Sequence, residues 1–167
     1  LDQKIISIDP TEKRIFSEHS AYNYDKLIIA TGSIPKSLFD ISQIENAATF
    51  RSQKDCERIA EGMIGKNVVI VGAGPIALEL LDTLMRSDAP QSITLLVRKN
   101  YLYSEVISRE GLALIRGIFE ADPRVRIQFN DQIKDKEISG NSITKLITSQ
   151  CEIENPFLIF GVGIDPN

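Results

Sequence analysis

The sequence predicts an α/β domain built on a parallel, doubly wound sheet and accompanied by short β-meander segments. Three observations carry this reading. Strand-like and helix-like segments alternate from Asn67 to Phe129, Val68-Val69-Ile70-Val71 is a continuous β-branched run, and a glycine-rich turn follows that run directly. An uninterrupted β-branched run suits a strand covered on both faces. Alternation of strands with helices of ten or more residues favours parallel strands joined by crossover helices.

In chain order, Lys4 to Ile8 and Arg14 to Ser17 read as strands separated by Asp9-Pro10 and a charged turn, and Leu27 to Thr31 reads as a buried strand ending at Gly32. Residues 33 to 50 contain Pro35 and no hydrophobic period, which suits a connection. Ser52 to Met63 predicts a helix with Ser52 as N-cap, with Ile59, Ala60 and Met63 on one face and Gly65 closing it. After the β-branched strand, Pro75 to Ser87 predicts a helix, with Pro at the first position, where a missing N–H costs nothing. Ile93 to Val97 is the next strand, Glu105 to Ala121 a helix capped by Ser104, and Val125 to Phe129 the third strand. Lys134 to Ile153 returns to short strands around a tight turn at Ser139-Gly140-Asn141, and Phe157 to Phe160 reads as a last buried strand.

The composition bounds what such a domain does. With 167 residues, 43% hydrophobic and 25% charged, the chain is long enough for one packed domain and part of a second. A net charge of -4 without a Lys/Arg-rich run argues against nucleic acid or an anionic membrane as partner, because binding phosphates requires clustered cations. The apolar runs are strand-length, too short to span a bilayer, and the Leu-Asp-Gln-Lys start lacks signal-peptide character, so the expected location is cytoplasmic. Cys56 and Cys151 are too far apart in sequence for a local redox pair, and one His with two Cys makes a zinc site improbable.

The turn Gly72-Ala73-Gly74-Pro75-Ile76-Ala77 is a G-x-G-x-x-A pattern placed where a buried strand meets a helix. Gly72 permits the tight turn, Gly74 lets the backbone approach a pyrophosphate, and a small residue at Ala77 allows close helix–strand packing. The pyrophosphate would meet free N–H groups and the positive end of the helix dipole. This is the Rossmann-like signature of a nicotinamide-dinucleotide site; the bland alternative is a glycine turn that only connects strand to helix. An NAD site ordinarily completes itself with a carboxylate at the end of the second strand, hydrogen-bonded to the adenosine ribose. Here that position is Val97, followed by Arg98 and Lys99. A 2'-phosphate is repelled by a carboxylate and stabilised by a guanidinium, so NADP(H) is expected over NAD(H). Otherwise the two cations are solvated loop charges. Glu79 follows early in the helix, and Asp82 and Arg86 are spaced to pair at i,i+4. His19 reads as a solvated turn residue, and no nucleophile–base constellation or metal-ligand set is present to nominate a catalytic residue.

Four segments, in order, resemble the pyridine nucleotide-disulfide oxidoreductase superfamily of FAD-dependent reductases: Tyr24 through Pro35 with its Ala30-Thr31-Gly32 turn, Thr49-Phe50-Arg51-Ser52 with the helix after it, Gly72 to Glu79, and the closing Gly161-Val162-Gly163-Ile164-Asp165-Pro166-Asn167. The resemblance implies that Thr31 and Gly32 approach FAD, that Gly161, Val162 and Gly163 close the nucleotide site, and that Glu79 lies near the nicotinamide. Pro75 departs from the aromatic residue that often gates that pocket. Val97-Arg98-Lys99 and Ala77 resemble NADPH-using glutathione reductases, whereas the helix before the turn and the closing segment look more like the nitrite reductase, NADH oxidase and rubredoxin reductase branch. The phosphate-facing residues favour NADP(H).

The superfamily's FAD fingerprint, its active-site cysteines, its later flavin segment and its interface domain have no counterpart here. The resemblance therefore implies a piece of a longer reductase: residues 1–47 as a flank of the flavin domain, 48–161 as the NAD(P)H-binding domain, and 162–167 as a return segment. FAD would be held only by the full-length parent, and the chain alone would be inactive. Two other readings are a non-enzymatic dinucleotide sensor or interaction module, and a methyltransferase-like fold that uses a similar turn for S-adenosylmethionine.

Overall fold

The computed structural model describes residues 3–103 and 107–167. The chain divides into two compact units, residues 1–32 and 33–167.

The first unit is an antiparallel meander of β1 (Ile5–Asp9), β2 (Arg14–Ser17) and β3 (Ala21–Asn23). Its first turn forms because the Asp9 carboxylate accepts from the backbone N–H groups of Thr11 and Glu12, and Lys13 completes it in the left-handed region at φ 50°. The expected buried strand at Leu27 to Thr31 is not formed: these residues make no strand, and Ile28 and Ile29 are 88% and 67% exposed. A strand needs a ladder partner for its backbone groups, and none of the described strands pairs with this run.

The second unit holds the parallel sheet. Its elements are β4 (Ser33–Pro35), β5 (Ala47–Thr49), α1 (Gln53–Gly62), β6 (Asn67–Val71), α2 (Pro75–Met85), β7 (Ser92–Val97), α3 (Arg109–Glu120), β8 (Val125–Phe129), β9 (Ile133–Ser139), β10 (Ser142–Thr148), β11 (Glu152–Glu154), β12 (Pro156–Phe160) and β13 (Ile164–Pro166). The five-stranded sheet runs β5-β12-β6-β7-β8 with every pair parallel. Successive strands from β6 go one way across the sheet and β12 returns on the other side of β6, so the strand order reverses between β6 and β12.

Alternation sends β6 side chains to both faces. Val68 and Ile70 join α2, Phe119 of α3, and Ile159 in one core, while Val69 and Val71 join Leu146 of β10 and Phe160 in the other. The second face is covered by the antiparallel meander β11-β10-β9, turned at Gly140 with φ 58°. Asn46 ties this cover to the sheet. Its amide donates to the carbonyls of Ile143 and Pro156 and accepts from the Ile143 N–H.

Several sequence expectations shift at this level. The 33–50 connection contains β4 and β5, each three residues long; Ala47-Ala48-Thr49 has little intrinsic strand preference and owes its form to pairing with β12. Helix α1 begins at Ser52, which shares a capping box with Asp55. Ile59 and Met63 pack against the core as expected, joined by Gly62, where an added β-carbon would strike the Phe157 ring at 2.0 Å, whereas Ala60 is exposed. Helix α3 begins at Arg109 with Ser108 as its N-cap, accepting from the Gly111 N–H, four residues later than expected. Ser104 and Glu105 lie outside the described residues.

Candidate dinucleotide-binding site

The strand reversal places the carboxyl ends of β6 and β12 side by side, where open α/β sheets bind ligands. The chain leaves β6 at Gly72, whose N–H donates to the Leu96 carbonyl, and leaves β12 at Gly161, whose N–H donates to the Val71 carbonyl. Gly72 has φ 130°, a region side chains rarely enter, and a β-carbon there would sit 2.3 Å from the Gly161 carbonyl oxygen. Gly161 in turn lies against Ala77: a β-carbon on it would stand 3.1 Å from the Ala77 β-carbon, which is fully buried. The two turns and the first turn of α2 are thus packed backbone to backbone.

Gly74 differs. It is the N-cap of α2, extended at φ -82° and ψ 178°, and a β-carbon on it would meet nothing within 4 Å. No side chain caps this helix, and Pro75 occupies its first turn. The result is an open approach to a helix N-terminus whose backbone donors have no capping side chain, a fit for a phosphate group. Ala73 packs against the core beneath, and Ile76 is 42% exposed beside the turn.

Beyond β7, Val97 is 1% exposed and belongs to the helix-side core, whereas Arg98 and Lys99 are exposed. The Lys99 ammonium rests over the Tyr101 ring, 5.0 Å from its centroid. Arg98 makes no ion pair among the described residues. Its backbone is nevertheless fixed, because the carbonyls of Val97 and Lys99 accept from the N–H groups of Asp131 and Asn130, both at 3.0 Å.

Glu79 and Pro75 line a cavity of about 600 Å³ between α2 and α3, with Tyr103 and Ile107 among its other walls. Asp82 and Arg86 form the i,i+4 pair, two-pronged at 2.9 to 3.2 Å, leaving Glu79 outside that pair. After Gly161, Val162 packs into the meander-side core, and Gly163, at φ 107°, has its carbonyl hydrogen-bonded by the Lys36 N–H. There β13 pairs antiparallel with β4, reinforced by Lys36–Asp165 at 2.7 Å. Thr31 and Gly32 end the first unit on the exposed run; Gly32 has φ 75°.

The site therefore assembles Gly72, Ala73, Gly74, Pro75, Ile76, Ala77 and Gly161 around one helix end, with Val97, Arg98 and Lys99 at the neighbouring strand end. Sequence reasoning overlooked Tyr101, whose signal was an aromatic residue two positions after a lysine. It also overlooked the Asn130-Asp131 turn, which only tertiary pairing reveals.

The family described as pyridine nucleotide-disulphide oxidoreductase matches residues 1–167. Terpredoxin reductase from Pseudomonas sp is 26% identical over 170 residues, which are 99% of this chain and 41% of that protein. The putidaredoxin reductase of a covalent complex with putidaredoxin superposes with a TM-score of 0.86 at 23% identity, over 97% of this chain and 40% of its own. A water-forming NADH oxidase from Lactobacillus brevis bound to NADH has a TM-score of 0.83 at 18% identity, over 99% of this chain and 38% of its own. An engineered NADPH oxidase made from it and bound to NADPH gives 0.82 at 19%, with the same coverage. This chain spans about two fifths of the length of these relatives. The chain belongs to the pyridine nucleotide-disulphide oxidoreductase family.

Proposed function

We propose that this chain is the NAD(P)H-binding part of an FAD-dependent oxidoreductase, with residues 48–161 as the nucleotide domain and 1–47 and 162–167 as flanks that join it to the flavin domain. The observation that carries the reading is the contrast between two glycines of one turn: Gly72 is wedged against Gly161, while Gly74 opens onto free space at an uncapped helix N-terminus. A turn that only connected strand to helix would have no need of the second glycine. Bound there, the nicotinamide dinucleotide would supply a hydride for the flavin held by the rest of the parent. The chain's own residues bind and orient. The backbone N–H groups of Gly74, Ile76 and Ala77 receive the pyrophosphate, and Pro75 and Glu79 shape the wall beyond the helix start. The exposed Leu27 to Thr31 run and the β4–β13 pair suit a path into and out of a flavin domain, with Thr31 and Gly32 toward the flavin.

NADPH is the preferred nucleotide in this reading. Val97 offers a ribose no acceptor, and Arg98 has a guanidinium free of ion pairs among the described residues, able to meet a 2'-phosphate with two parallel hydrogen bonds. The engineered NADPH oxidase supports it: its substitutions include an Asp to Ala and, at the next position, an Ala to Arg, which is the kind of exchange that Val97-Arg98 embodies. The test is a calorimetric titration of the chain with NADPH, NADH and S-adenosylmethionine. Binding of NADPH tighter than NADH, with none of S-adenosylmethionine, is expected; binding of neither nicotinamide dinucleotide would overturn the reading.

A further inference from the structure

We propose that Thr148, acting through the buried carboxylate of Asp131, is a positioning residue that fixes where Arg98 presents its guanidinium and so sets the nucleotide preference. The inference rests on the preceding reading of Arg98 as the 2'-phosphate ligand. It adds residues from the far side of the sheet that never touch the nucleotide.

The connection runs through two hydrogen-bonded links, one at the Asp131 backbone and one at its carboxylate. Arg98 lies between two carbonyls, those of Val97 and Lys99, which accept from the consecutive N–H groups of Asp131 and Asn130. Those two donors belong to the turn between β8 and β9, where Asn130 sits in the left-handed region at φ 55°. The Asp131 side chain, 1% exposed, holds the turn in that form: one carboxylate oxygen accepts from the N–H groups of Gln132 and Ser149, each at 2.8 Å. The other accepts from the Thr148 hydroxyl at 2.8 Å. Thr148 is itself buried, and its hydroxyl oxygen accepts from the Cys151 N–H at 3.0 Å.

A long exposed side chain selects a phosphate only if its backbone origin is fixed, since otherwise each bond formed must also order the loop. Lys99 does not share this task, because its ammonium rests over Tyr101. The arrangement therefore makes a specific prediction: loosening Asp131 weakens the contact made by Arg98 and leaves the pyrophosphate turn at Gly72–Gly74 untouched. A buried threonine kept only for packing would not discriminate between the two nucleotides.

The experiment is a double-mutant cycle on the full chain, read by calorimetric titration with NADPH and with NADH. Thr148→Val keeps the shape and removes the hydroxyl. It is expected to weaken NADPH about tenfold and NADH less than about twofold. In an Arg98→Ala background the same change should have no further effect on either nucleotide, and Thr148→Ser should restore the original ratio. If Thr148→Val does not fold, Thr148→Ala replaces it, since it removes the same hydroxyl without demanding room for a second methyl. Equal weakening of both nucleotides, or an unchanged ratio, would overturn the positioning role while leaving the NADPH preference standing. A parent chain that binds both nucleotides equally would overturn both.

Discussion

A β-carbon on Gly72 would stand 2.3 Å from the carbonyl oxygen of Gly161, and the backbone of Gly72 is at φ 130°. Two penalties thus coincide at one position. Gly72→Ala is expected to destabilise the fold by about 3 kcal/mol or more, from the clash and from strain that alanine cannot relieve. Gly161→Ala meets Ala77, its β-carbon at 3.1 Å and its Cα at 3.4 Å, without the left-handed backbone, and should cost less. Denaturant titration of both variants checks the ranking; an equal or reversed order would show that the two turns are not packed as described.

Asn46 joins a loop to β10 and β12 through three hydrogen bonds. Asn46→Ala leaves the Ile143 N–H and two carbonyls without that partner, which should cost about 2–4 kcal/mol in urea unfolding. A loss below about half a kcal/mol would mean that water replaces the amide without penalty.

Asp122 is held below the ordinary aspartate range by hydrogen bonds from the Arg124 side chain and then its backbone N–H. Arg124 also donates to the carbonyls of Met85 and Ser87 at the end of α2. A carboxyl with a lowered folded-state value stabilises the fold above the unfolded carboxylate range and loses that contribution as the pH falls through the lowered value. The stability difference between the parent chain and Asp122→Asn should therefore be largest near neutrality and shrink below about pH 4. A difference independent of pH would remove the ion pair as its source.

The parts of the fold that were legible in advance are those where local pattern and final environment agree. Val68 to Val71 and Phe157 to Phe160 are apolar without interruption and became central strands. Gly72 and Gly74 stand at fixed distances from a strand end and a helix start, so their surroundings follow from spacing. Leu27 to Thr31 misled because apolarity records that a segment is to be buried and does not say by what. Ala47 to Thr49 and the Asn130-Asp131 turn were illegible for the opposite reason: each owes its form to residues far along the chain, β12 in one case and Thr148 with Ser149 in the other. The start of α3 was misplaced by four residues because Ser104 and Ser108 both precede helix-forming sequence, and local chemistry alone does not choose between them.

Arg98→Ala should weaken NADPH by about ten- to a hundredfold and NADH little, since only the former carries a phosphate for the guanidinium to meet. Adding Val97→Glu should favour NADH, but Val97 is 1% exposed and a carboxylate there incurs a burial cost. The single substitution is therefore the cleaner comparison. Matching losses for both nucleotides would identify Arg98 as a surface charge.

The most direct measurement is calorimetric titration of Gly74→Val with NADPH. The backbone at Gly74 is extended in a form valine readily adopts, and its β-carbon would contact nothing within 4 Å, so circular dichroism should remain native. The side chain would nevertheless fill the approach to the start of α2. NADPH should bind the parent chain and fail to bind the folded variant. Unchanged affinity in a folded Gly74→Val would contradict the assignment of this turn as the pyrophosphate site.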